Sequence, residues 1–262
     1  MSQLESLVME QAPVLPPKVM IYGPPGIGKS TFGAAGPKPI FLQTEQGLAG
    51  IKVPCFPLAK SFDEVMDYLR CLLDEDHHYQ SLVLDSASGV EALIKQKILL
   101  ETGAKNLNVV GPFGLGYVML AEKWEQVVSL LDAIRIQRGM LILIIAHAEM
   151  AVAEDAEYGS FDRWAPRVYK KALANLVEWA DLVGYAHRRM VLRSTDNGKT
   201  TIATGIGPDG GDRILNVCGS PAILAKNRYG LTGELPLAWD SLFEVFSTLA
   251  NSQKEGCDHG TN

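Results

Sequence analysis

The chain has 262 residues, 47% of them apolar and 21% charged, with a formal net charge of −6. That balance is ordinary for a globular protein with room for a sizeable core, and it excludes a chain coated in positive charge without excluding a local basic site. The purely aliphatic run Leu141-Ile142-Leu143-Ile144-Ile145-Ala146 is strand-sized, far short of a bilayer span, so no membrane partner is expected.

In chain order, the apolar run at 18–22 predicts a buried strand, followed by a glycine-rich loop and a short helix that stops before Gly36-Pro37. A second strand is expected from Pro39 to Gln43. Asp63 to Asp74 places Val65, Met66, Leu69, Leu72 and Leu73 at helical spacing, with Ser61 as its cap. Ser81 to Asp85 reads as a third strand, Val90 to Glu101 as a helix, Thr102 to Gly116 as a glycine-rich loop, and Tyr117 to Gln137 as a long helix. Met140 to Ala146 is the next buried strand. Ala148 to Ala165 shows no clear period and is expected to be a long loop, with Pro166 as the first residue of a helix reaching Trp179. Strands follow at 181–187, 190–193 and 200–204, the last two joined as a hairpin by Asp196-Asn197-Gly198. A short strand at 223–226, a helix at 239–249 and a polar tail complete the chain. Strands alternating with helices predict an α/β fold with a mostly parallel central sheet flanked by helices, plus a C-terminal antiparallel hairpin. No linker divides it: the reading is an N-terminal extension (1–16), one domain (17–250) and a disordered tail (251–262).

Gly23-Pro24-Pro25-Gly26-Ile27-Gly28-Lys29-Ser30, followed by Thr31, is a complete G-x-x-x-x-G-K-S phosphate loop between a strand and a helix. Its backbone N–H groups can cradle phosphates, Lys29 can reach the β- and γ-phosphates, and the Ser30 hydroxyl suits Mg²⁺. The ligand class is therefore a nucleoside triphosphate, with ATP and Mg²⁺ as the expected cofactors. Asp85, closing the third strand, suits the water shell of Mg²⁺. Hydrolysis needs a group to activate water. The residue after Asp85 is Ser86, so the acid that follows the magnesium aspartate in many ATPases is missing, and Glu45, just beyond the second strand, is the candidate base.

The phosphate loop, the strand ending Thr44-Glu45-Gln46-Gly47, Leu84-Asp85-Ser86 and the apolar strand ending at His147 together resemble the RecA-like ATPase core. The resemblance implies that Glu45 is the catalytic base and that His147 senses the γ-phosphate; a histidine buried for structural reasons would look the same. Leu224-Ala225-Lys226-Asn227-Arg228-Tyr229-Gly230 resembles the Lys-x-Arg finger of DnaB-type helicases and the K-N-R-F-G motif of bacterial RadA. It implies that Lys226 and Arg228 reach a neighbouring subunit's nucleotide in a homo-oligomer, ring or filament, although a basic turn after a strand would read alike. Over roughly residues 17–248 the chain is most similar to small phage-type RecA-like ATPases, including the Sak-type single-strand annealing and recombination proteins.

In that family single-stranded DNA is held by the loops after the magnesium-site and sensor strands. Here those are 103–116, with Lys105 and Phe113, and 148–165 with the following helix, carrying Tyr158, Phe161, Arg163, Trp164, Arg167, Lys170 and Lys171. Aromatic faces can stack on bases while cations follow the phosphates. From Ser160 to Arg193 seven basic residues face three acidic ones, but Glu149, Glu154, Asp155 and Glu157 make the first half of the loop acidic. The four cysteines Cys55, Cys71, Cys218 and Cys257 lack C-x-x-C spacing, and no secretory signal is visible, so a cytoplasmic protein with free thiols is expected, in a bacterial host if phage-encoded. The expected function is ATP- and Mg²⁺-dependent assembly on single-stranded DNA for annealing or strand pairing, with a single-strand DNA-binding protein as a further implied partner. The alternatives are a motor acting on protein partners and a nucleotide-gated accessory subunit of a recombinase or replisome.

Overall fold

The computed structural model describes residues 14–157, 159–194, 201–207, 210–243 and 246. The parallel strands are β1 (Lys18–Gly23), β2 (Pro39–Gln43), β3 (Ser81–Asp85), β4 (Leu141–Asp155) and β6 (Leu182–Arg188). With the antiparallel strands β9 (Arg213–Asn216) and β11 (Glu234–Pro236), they lie in the order β11-β9-β6-β1-β4-β3-β2. Two further strands pair off this path: β5 (Gly159–Pro166) on β4 and the short β10 (Lys226–Asn227) on β6. A separate antiparallel hairpin joins β7 (Met190–Ser194) to β8 (Thr201–Gly205). The expected fold class is the observed one.

The parallel strands read as continuous apolar runs because both faces are covered. Alternate residues of β1 enter different cores: Met20 and Tyr22 pack with one set of helices, Val19 and Ile21 with the other. On the first face lie α2 (Phe62–Asp74), α3 (Ala87–Thr102), α4 (Leu115–Arg138) and α5 (Lys170–Trp179), contributing Leu69, Ile94, Trp124 and Leu176. On the second lie α1 (Lys29–Ala34), through Phe32, and a C-terminal segment with Trp239 and Leu242. Ser61 caps α2 by accepting from the Glu64 N–H, as expected, and Ser86 does the same for α3 through Gly89. That second cap starts α3 at Ala87, ahead of the expected Val90.

Three expectations fail. The segment 148–165 is not a loop: β4 runs on past the sheet to Asp155 and turns back as β5, pairing from Ala148↔Pro166 to Asp155↔Gly159. Its alternation is hard to read because Ala151 and Ala153 face opposite to Met150 and Val152, so apolar residues fall on both faces and most are exposed or half-buried. Pro166 closes that hairpin instead of opening a helix, and α5 begins at Lys170. The strand expected at 223–226 is reduced to isolated bridges at Ile223 and the two residues of β10. Residues 1–13, Tyr158, the Asp196-Asn197-Gly198 turn, Cys257 and the tail lie outside the described residues, as do 244, 245 and 247–249 of the helix expected at 239–249.

Asp181 pins the start of β1 and β6. Its carboxylate accepts from the Lys18 backbone N–H at 3.0 Å and from Arg228 at 3.1 Å, with Arg135 at 3.8 Å, and the side chain is 12% exposed. Asp181→Ala leaves those cations without their shared partner, and urea unfolding is expected to show a loss of about 3 kcal/mol; an unchanged midpoint would show that solvent replaces the carboxylate.

Candidate nucleotide-binding site

The parallel register brings the ends of β1, β2 and β3 to within two residues of the level of His147 in β4. Gly23 at the end of β1 lies beside His147 of β4, Ile145 of β4 beside Asp85 of β3, and Asp85 beside Gln43 of β2. The chain leaves β1 into the phosphate loop, where Gly28 adopts φ +108°, a conformation that favours glycine. The cavity there, about 390 Å³, is lined by Pro25, Gly26, Gly28–Thr31, Glu45–Gly47, Ile51, Asp85, His147 and Arg213. Thus most of the expected site residues converge: the loop through Thr31, Asp85, Glu45 and His147. Gly23, Pro24 and Ile27 belong to the same loop without lining this cavity.

Lys29 is buried, and its ammonium donates to the carbonyls of Gly23 at 2.8 Å and Pro24 at 3.0 Å. Burial lowers its pKa, against the opposing pull of Asp85 and Glu45. These carbonyls hold the charge over the loop, where an anion can take it up. The Ser30 hydroxyl donates to Asp85 at 2.6 Å. Burial raises the Asp85 carboxyl above its ordinary range, with the Ser30 bond and the Lys29 charge only partly offsetting it. One hydroxyl and one carboxylate side by side suit Mg²⁺, which keeps most of its waters and shares phosphate oxygens. Among the described residues no cluster of three or more His, Cys, Asp or Glu forms a metal cage. The residues present therefore fit a nucleotide-bound Mg²⁺.

Glu45 is held at both oxygens. Ser86 donates to Oε1 at 2.7 Å, and His147 Nε2 lies 2.8 Å from Oε2. Burial pushes this carboxyl up, but the Ser86 and His147 bonds and the charges of His147 and Arg167 outweigh it and hold it below the usual range. Glu45 is then an acceptor at neutral pH, so His147 presents its Nε2 hydrogen to it. Thr44 fixes the approach: its N–H donates to the Asp85 carbonyl at 2.8 Å, and its hydroxyl bridges the Ser86 N–H and carbonyl at 3.0 Å each. A Cβ at Gly89 would strike the Thr44 hydroxyl and lie 3.1 Å from Glu45 Oε1, so α3 approaches this closely only through a glycine. The Asp85–Ser86 peptide is cis.

Lys226 and Arg228 lie elsewhere. Lys226 pairs with Val183, which is level with Met20 and not with the phosphate loop, and its ammonium caps the end of α5 through the carbonyls of Val177 at 2.8 Å and Glu178 at 2.6 Å. Arg228 bonds Asp181. Neither serves its own chain's cavity. The DNA candidates are also dispersed. On β5, Phe161 and Arg163 share one face with Ala153 and Ala151, while Trp164 faces the other way with Met150. Phe113 is fully exposed, and Lys105, Arg167, Lys170 and Lys171 are exposed as well. Tyr117 and Tyr169, 4.8 Å apart, bring the ends of the two expected DNA segments together.

Sequence reading missed Arg213. It sits on β9, a strand with no legible pattern, and its guanidinium nitrogen would lie 3.0 Å from a Cβ at Gly28. Its side chain makes no hydrogen bond or ion pair among the described residues. An uncommitted guanidinium on the loop can donate two parallel bonds to phosphate oxygens. Its one sequence signal is negative: a lone Arg in Asp212-Arg213-Ile214, beside glycines.

These features define a P-loop nucleotide-binding protein. The chain belongs to an AAA domain family, whose model matches residues 15–229. Among solved structures it is similar to the crystal structure of the RadB recombinase, with 13% identity and a TM-score of 0.42 over 77% of this chain and 80% of that one, a likeness too distant to carry function. No curated protein sequence matches it.

Two substitutions separate binding from chemistry. In Glu45→Gln, fluorescent-nucleotide affinity is expected to hold while steady-state hydrolysis falls about 100-fold or more. In Arg213→Ala, affinity itself should fall about tenfold or more through loss of a charge-assisted bond; unchanged affinity would remove Arg213 from the site.

Proposed function

We propose that this protein is an ATP- and Mg²⁺-dependent RecA-like ATPase of DNA recombination that binds single-stranded DNA and promotes annealing or strand pairing. Lys29 and Arg213 bind the triphosphate, Ser30 and Asp85 hold the metal, and Glu45 deprotonates or orients the attacking water, with Ser86 and His147 aiming its carboxylate. The metal, when bound, supplies charge at the phosphates.

One observation carries this reading: His147, which touches Glu45, lies on β4, and β4 continues unbroken into the protruding β4–β5 hairpin. The hairpin base is tied to the same place, since the Arg167 N–H donates to the His147 carbonyl at 2.8 Å and Ser88 donates to the Arg167 carbonyl at 3.0 Å. A change of contact at Glu45 therefore reaches the hairpin, Arg167 and, beyond it, Lys170 and Lys171 through a short chain of bonded groups. Lys226 and Arg228, several residues down the strands from their own chain's loop, serve a neighbour's nucleotide in a ring or filament.

A second reading has its own support. Met150, Val152 and Trp164 leave an apolar face of the hairpin exposed, and Glu154, Asp155 and Glu157 make its tip acidic. That face suits a protein partner better than a phosphate backbone.

Steady-state ATP hydrolysis with and without single-stranded DNA, across a salt series, tests the proposal. Stimulation that fades as salt rises is the expected result; turnover indifferent to DNA would favour the protein-directed motor. Mixing inactive Lys29→Ala with inactive Arg228→Ala should restore part of the activity, and no rescue would confine Arg228 to its own chain.

A further inference from the structure

A second cavity, of about 670 Å³, lies across the phosphate loop from the first and shares Pro25 and Gly26 with it. Its other walls include Trp164 of β5, Tyr185 and His187 of β6, Met190 and Ile223. The three rings form a nearly parallel stack with Tyr185 in the middle. Trp164 and Tyr185 are 5.8 Å apart at 16°, and Tyr185 and His187 are 4.8 Å apart at 17°. Tyr22 anchors this stack: its hydroxyl, with one hydrogen to donate, lies between the carbonyls of Trp164 at 2.9 Å and Leu224 at 2.8 Å. Trp164 keeps 36% of its surface exposed, whereas Tyr185 keeps 6%.

The Tyr185 hydroxyl makes no hydrogen bond among the described residues, although the side chain is more than nine-tenths buried and lines the cavity. The hydroxyl oxygen itself is not enclosed, so it opens onto the cavity, where it can donate to a ligand acceptor. Burial lifts its pKa to about 12, so it keeps its proton to donate. The exposed Trp164 face, apolar Met190 and Ile223, the Tyr185 hydroxyl and a phosphate loop next door fit a flat heteroaromatic ring that is itself attached to phosphate.

We propose that this cavity is a nucleobase subsite, with Trp164 as the stacking face and the Tyr185 hydroxyl as the hydrogen-bond donor. The inference rests on the reading of this protein as one that binds nucleotides and single-stranded DNA, and it assigns the recognition of a base to particular side chains. The base comes either from a single strand or from the nucleotide on the loop.

Two probes distinguish the sources in the full-length protein. A single-stranded oligonucleotide carrying 2-aminopurine reports stacking by quenching, and the affinity of ATP relative to inorganic tripolyphosphate reports what the base adds. Trp164→Ala removes the stacking face without removing the backbone carbonyl that Tyr22 uses, Trp164→Phe restores an aromatic face, and Tyr185→Phe deletes only the hydroxyl. A strand base in the cavity gives quenching that Trp164→Ala abolishes and Trp164→Phe recovers, with about tenfold weaker DNA binding in Trp164→Ala and an unchanged ATP-to-tripolyphosphate ratio. A nucleotide base gives an ATP preference over tripolyphosphate that Trp164→Ala erases and Tyr185→Phe reduces. If the protein ignores DNA but shows that preference, the subsite stands and the recombination reading falls. If it binds DNA and ATP and both probes are indifferent to all three substitutions, the subsite is overturned and the recombination reading stands. If it ignores DNA and the ATP preference is indifferent to all three, both fall.

Discussion

The parallel register of β2, β3, β4 and β1 is the constraint on which the site depends. A strand's direction decides which of its ends meets its neighbours' ends, and here four strands deliver the residues that follow or close them to the same edge. Gly23, Gln43, Asp85 and His147 are distant in the chain and adjacent only because of that pairing. The insertion of β4 between β1 and β3 has a further effect: it sets His147 next to the loop strand while leaving Asp85 close enough for the Ser30 hydroxyl. The ends of β2 and β3 are then locked by Thr44, whose hydroxyl and N–H use up Ser86 and Asp85 backbone groups that would otherwise lie unpaired at a sheet edge.

Within that frame the charges are arranged asymmetrically. Glu45 and Asp85 share one small cavity with Lys29, and the Glu45 charge raises the cost of ionising Asp85. The structure resolves this by giving Glu45 two side-chain partners and Asp85 one, so burial wins at Asp85 and the hydrogen bonds win at Glu45. A base must be ionised before it meets water, whereas a carboxylate meant for a cation can wait for the cation to ionise it. The opposite directions of the two shifts match the two tasks proposed for Glu45 and Asp85. Arg213 adds a second positive charge without a partner among the described residues, so the cavity holds two cations against two carboxylates before any phosphate enters.

The loop, Asp85 and Glu45 were legible because each sits where a strong apolar run stops, and the runs themselves were legible because buried parallel strands cannot alternate. The β4–β5 hairpin was not. Ala151, Val152 and Ala153 sit among glutamates, and neither face is fully covered, so burial imposes no period on the sequence. Arg213 failed for a related reason. The strand β9 is four residues long, and its importance comes from pairing with β6, so nothing local marks Arg213 as facing Gly28. Lys226 and Arg228 show the converse. Their motif is conspicuous, yet in a single chain their bonds are structural, to a helix end and to Asp181.

Those bonds bear on how a trans role could operate. The Arg228 side chain is about half exposed and shares Asp181 with Arg135 and the Lys18 N–H, so Asp181 keeps other partners if Arg228 turns outward. An arginine released from a carboxylate that retains its remaining partners costs less than one torn from an isolated buried pair. Lys226, gripping the last carbonyls of α5, is the firmer of the two and fixes the segment from which Arg228 would swing. The same logic applies at the other end of the molecule. In the proposed mechanism His147 would exchange its contact with Glu45 for a phosphate oxygen while Ser86 still holds the carboxylate, so one bond would switch and the other stay. His147 is a residue of β4, so in the proposed mechanism its contact bears on the strand that continues into the hairpin. Coupling of this kind requires two discrete arrangements of the His147 ring, and the one bonded to Glu45 is the arrangement the structure holds.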